Sequence, residues 1–158
     1  MARKHSRLSG FARSERGSIT SGGLILIVVF LAIGGIAVDV SNAYNQRTHL
    51  QLAADVAAHS ALYDRNKLGA DADSAKTSAI DLAFRNMPED HYGEVLTEED
   101  IEFGVWDGAT RTFTPDEDSR TAVRVVTHRT EESENEISTL LLHFAGFDSW
   151  DVETVSVF

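Results

Sequence analysis

The stretch GGIAVDVSNAYNQRTHLQLAADVAAHSALYD, residues 34–64, decides the fold. It begins inside an uncharged apolar run and crosses into polar sequence at Asp39. It holds no proline, and no glycine after Gly35, so nothing stops a helix at the crossing. Past Asp39, Val40, Ala43, Tyr44, Leu50, Ala54, Ala57, Ala58, Ala61 and Leu62 recur at steps of three and four, broken by Arg47. That is the period of one helix face. The pattern predicts a continuous helix from near residue 19 to near residue 63, broken around residues 66–69.

Within it, Ala53, Ala57 and Ala61 form a row spaced by four, and Ala54 and Ala58 form a second row beside it. Rows of small residues let another helix or a sheet approach closely. Alanine also has the best intrinsic helix propensity, so the same rows serve a plain helix equally well. These five alanines are the candidate helix-packing face.

Upstream, residues 17–38 form a run of 22 without a charge, GSITSGGLILIVVFLAIGGIAV. As a helix at ~1.5 Å per residue this reaches ~33 Å, about the thickness of bilayer hydrocarbon. Residues 1–16 carry Arg3, Lys4, Arg7, Arg13 and Arg16 against Glu15 alone. Basic residues beside a span resist translocation, so the N-terminus is expected in the cytoplasm and residues 39–158 across the membrane. A cleaved signal peptide has a shorter apolar core of ~7–15 residues. The length favours a retained anchor, although Ser41-Asn42-Ala43 is a passable cut site. Asp39 then marks the span boundary, where a charge costs little. Its alternative role is to pair with a charge on a neighbouring subunit.

The chain of 158 residues has a net charge of −11, so everything after the basic head is more acidic still. Such a body repels phosphates, which argues against nucleic acid as a partner. Cysteine is absent, excluding disulfides and thiolate metal sites.

The expected fold class is α+β. The expected divisions are a basic head (1–16), a transmembrane helix (17–38), an extended amphipathic helix (39–66) and a small exported body (67–158). In the body a second helix is predicted over residues 71–86, capped by Asp71 or Asp73 and stopped at Met87-Pro88. Residues 87–100 read as an acidic loop. IEFGVW from Ile101 alternates with period two, Asp107-Gly108 signals a turn, and residues 110–113 return as a short strand. A loop from Pro115 leads to a strand, AVRVVTHR, from Ala122. Ser133 and Glu136 have capping-box spacing, and Ile137, Leu140, Leu141 and Phe144 follow at helical steps, predicting a helix closed by Gly146. A last strand covers residues 150–158, and the sheet is expected to be antiparallel.

Motifs for chemistry are missing. The six histidines (His5, His49, His59, His91, His128, His143) have no metal-ligand spacing, and Asp116, Glu117 and Asp118 lack the pattern of a calcium loop. No nucleophile elbow, phosphate loop or dinucleotide fingerprint occurs. No catalytic residue, cofactor, metal or small-molecule substrate is expected.

Residues 15–62 resemble the N-terminal segment of the TadE/TadG-like proteins of tight-adherence (Flp) pilus assembly. The resemblance rests on the step Gly35-Ile36-Ala37-Val38-Asp39, then on Leu50-Gln51 and Ala54-Asp55-Val56-Ala57-Ala58. Residues 103–115 and 144–157 are similar to distal parts of short family members. The resemblance implies a single-pass protein of the bacterial inner membrane. It implies a non-enzymatic accessory or minor pilin-like component in Flp/Tad pilus assembly and secretion, with other pilus assembly or secretion proteins as partners. Larger members continue into an adhesion-type domain with a metal-binding motif; that motif is missing here, so metal-dependent adhesion is not implied. Gly22 stands where a prepilin peptidase substrate cut after Gly17 would carry glutamate. The rival reading is a membrane-tethered periplasmic binding or sensor domain.

Overall fold

The computed structural model describes residues 16–158, so the basic head lies, apart from Arg16, outside the described residues. Helix α1 runs unbroken over Arg16–Tyr63, 48 residues, about 70 Å at ~1.5 Å per residue. It widens into one π turn, Asp64–Leu68, and stops where Gly69 takes the left-handed conformation (φ 71°) that a Cβ would strain. The expected break falls there.

The two halves of α1 have different surroundings. From Ile19 to Val38 every side chain stands exposed, and among these residues only Gly35 is covered. From Leu50 onward one face of the helix is core. Helix α2 (Ala72–Asn86) packs along it. Asp71 accepts the Ser74 amide at 2.8 Å and caps the start, and Met87 ends the helix before Pro88. α2 buries Ala75, Ala79 and Ala83, so alanine meets alanine between the helices. A side chain that ends at Cβ loses no rotamer entropy on burial.

Short helix α3 (Glu89–Tyr92) and a 3₁₀ turn (Glu98–Asp100) occupy the region expected to be a loop. The Asp100 carboxylate accepts both the amide and the hydroxyl of Thr97, which starts that turn. Strands β1 (Ile101–Asp107), β2 (Thr112–Pro115), β3 (Ala122–Arg129), β4 (Ile137–Ser138), β5 (Ser149–Trp150) and β6 (Val152–Val157) follow. Four of them form an antiparallel sheet in the order β2-β1-β3-β6, while β4 and β5 pair separately. One sheet face, carrying Ile101, Phe103, Val123 and Val125, covers α1 and α2. The α+β class and the antiparallel sheet are as expected.

Three details correct the sequence reading. The β1–β2 turn spans residues 108–111, because Asp107 accepts the amides of Ala109 and Thr110 and Arg111 takes φ 56°; the return strand therefore starts at Thr112 and includes Pro115. The helix predicted from Ser133 does not form. Asn135 accepts the Thr130 amide and donates to the carbonyls of Glu94 and His128, folding the chain into a turn. β4, a 3₁₀ turn (Leu142–Ala145) and β5 stand in the helix's place, and the expected capping box is instead built at Thr97. The last strand is split at Asp151. On β6 the small polar residues Thr154 and Ser156 point into the core, and Val155 and Val157 point out.

Candidate functional site

Asp39 sits where the bare half of α1 meets the body. Its side chain is only 2% exposed. The carboxylate accepts three backbone amides from the loop between β4 and β5: Leu140 at 2.8 Å, Leu141 at 2.9 Å and Leu142 at 2.6 Å. Burial pushes its pKa up, but the Leu142, Leu140 and Leu141 amides together outweigh that and hold it below the usual 3.8. Asp39 therefore stays ionised and ties down three donors that would otherwise lack partners. Asp39 thus has a structural role that its expected place at the span boundary did not announce. Its partners are its own chain's amides.

Gly35 lies one turn before Asp39, on the same face of α1. A Cβ there would come 2.9 Å from the Leu141 Cβ, so glycine permits the close approach that brings the loop within reach of Asp39. The spacing of the two is the signal by which the sequence could have revealed the junction. Its partner, residues 140–142, carried no comparable signal.

The five alanines of the candidate packing face, Ala53, Ala54, Ala57, Ala58 and Ala61, are all fully buried. They pack within the core shared by α1, α2 and the sheet, so their face is occupied by the protein's own body. Gln51, next to this face, is half-buried: its amide donates to Asp55 at 2.9 Å and reaches the Val155 carbonyl at 3.5 Å.

Sequence reasoning also missed two arginine anchors. Arg65, in the π turn, donates to the carbonyls of Glu117 (2.8 Å) and Ser119 (3.3 Å), and its guanidinium lies 4.8 Å from the Phe103 ring centre. Arg129 donates to Asn135 O (2.8 Å), Gln46 Oε1 (3.1 Å) and Glu136 O (3.2 Å), tying β3 to α1 and to the turn after it. Burial pushes the Arg129 pKa down from the usual guanidinium range. Among the described residues, no group of three or more His, Asp or Glu side chains could hold a metal ion. His128 faces Asp100 at 3.6 Å and His143 faces Asp148 at 2.8 Å.

The arrangement defines a class: a small α+β body built on the second half of one long helix, whose first half is apolar and unpacked. By length and composition that helix can cross a membrane. Residues 17–72 match the family model described as "Putative Flp pilus-assembly TadE/G-like", which takes in the apolar run, the Gly35–Asp39 step, the alanine rows and the first residue of α2. The match does not extend to the sheet. No curated protein and no solved structure matches the chain.

Proposed function

We propose that this protein is a non-enzymatic, single-span component of Flp/Tad pilus assembly and secretion, with an accessory or minor pilin-like role. The observation that carries the proposal is the division of α1. The family-matched helix leaves residues 19–38 bare and apolar, while its continuation is locked into a folded body. Exposed apolar surface on this scale needs lipid or a protein partner to cover it. The basic head holds the N-terminus in the cytoplasm, and the body lies on the periplasmic or extracellular side of the inner membrane.

At the junction the buried Asp39 carboxylate is committed to three backbone amides of its own chain, a structural use of the side chain. The test has two parts. A reporter active only outside the cytoplasm, fused after Phe158, is active; activity only inside would reverse the topology. Deleting the chain from a piliated host lowers the count of surface pili, and restoring it recovers them. Unchanged piliation would remove the pilus role.

A further inference from the structure

The loop between β4 and β5, residues 139–148, exposes more apolar surface than a water-facing loop should. Leu140 is 66% exposed, Phe144 83% and Phe147 64%. Leu140 and Phe144 belong to the helical spacing from which a helix was expected in the sequence, yet they face away from the core. The loop is also fastened beside the bare half of α1. Leu141 touches Gly35, and an apolar cleft of about 420 Å³ separates Leu141 and Phe144 from Val28, Leu31 and Ile36 of the helix. Val28 lies ten residues inside the end of the uncharged run, ~15 Å along the helix, or about half the hydrocarbon thickness.

We propose that residues 139–148 form a second membrane contact, inserting Leu140, Leu141, Phe144 and Phe147 into the leaflet that α1 crosses next to Asp39. The proposal rests on reading residues 17–38 as a span: if they lie in lipid, a loop whose cleft reaches Val28 lies in lipid as well. Its backbone is suited to that solvent. Hydrocarbon offers no partner to a free amide, so an inserted loop must satisfy its own donors. Here the amides of Leu140, Leu141 and Leu142 go to Asp39, Thr139 to Asp148 O, Phe144 to Leu141 O, Gly146 to His143 O and Phe147 to Leu142 O. The Thr139 hydroxyl bonds the Phe147 carbonyl. The polar side chains of the loop, His143 and Asp148, pair with each other at 2.8 Å. Trp150, half-exposed at the loop's base, is an interfacial residue by type. Apolar burial carries the contact, and the body is held against the bilayer by two points.

Because the chain has no cysteine, a single introduced cysteine is a unique label site. Phe144→Cys, Leu26→Cys and Tyr63→Cys would each be labelled with an environment-sensitive fluorophore in the full chain. Each protein is then reconstituted into phosphatidylcholine vesicles with spin-labelled acyl chains. Phe144 and Tyr63 point outward, so these substitutions leave the core intact. The expected result is a blue shift and strong quenching at positions 144 and 26, with neither at position 63. Quenching at 26 without quenching at 144 overturns the loop proposal alone and makes the apolar patch a site for a protein partner. Loss of quenching at both positions removes the span, and the proposal with it.

Discussion

The Asp39 Oδ2 accepts the amide of Leu142 at 2.6 Å, closing a contact across 103 residues of sequence. With the amides of Leu140 and Leu141, it makes the end of the apolar run a fixed junction. Asp39→Asn should release the loop, because a side-chain amide turns one of the two acceptor oxygens into a donor facing donors. Limited chymotrypsin digestion of the full chain in detergent should then cut at Leu140, Leu141 or Phe144 faster than in the parent. Equal rates would show that apolar contact with α1 alone holds the loop.

Acid should loosen the protein through three carboxylates held below 3.8. In Asp39, burial raises the pKa and the loop amides overcome it. In Asp71 the Ser74 amide leads, and in Asp107 the Ala109 amide leads. A depressed pKa in the folded state adds stability that is complete above the unfolded value and disappears as pH falls through the folded one. Thermal midpoints should therefore be insensitive to these groups from neutrality down to about pH 5, then fall below about pH 4. A midpoint that dropped between pH 7 and 5 would show that these three carboxylates do not set the acid sensitivity.

Ala57→Leu should harm the protein's own folding. Ala57 is fully buried in the core where α1 meets α2 and the sheet, and overpacking such a site costs ~1–3 kcal/mol. Urea melts should register that loss, and blots should show lower abundance in step with fewer pili. Normal abundance with absent pili would mean that this face meets another subunit during assembly.

Thr127→Val tests the polar seam between sheet and helix. The buried Thr127 hydroxyl lies 3.0 Å from the Leu50 carbonyl and 2.8 Å from the Thr154 hydroxyl. Its loss strands the Thr154 hydroxyl in the core, at a cost of ~1–3 kcal/mol. Adding Thr154→Val should recover part of that loss, since no unpaired hydroxyl remains. Additive losses in the double variant, measured by chemical denaturation, would contradict this pairing.

Local pattern alone determined the unbroken helix across Asp39, its stop near Gly69, the extent of α2, and strands β1 and β3. Each of these is written in residues a few positions apart: helical spacing, the Asp71 cap, the Met87-Pro88 stop, and alternation in AVRVVTHR. Tertiary structure decided the rest. Residues 133–146 carry a good helical pattern, yet Asn135 spends its side chain on Glu94 and His128, and three loop amides go to Asp39. Thr154 and Ser156 face inward because β6 lies beside α1, where small polar side chains fit and Thr127 offers a partner. Asp39 looked like a simple marker because its partners stand about a hundred residues away. A backbone amide has no side-chain identity, so no sequence pattern announces which carboxylate will accept it; only the folded chain brings the two together.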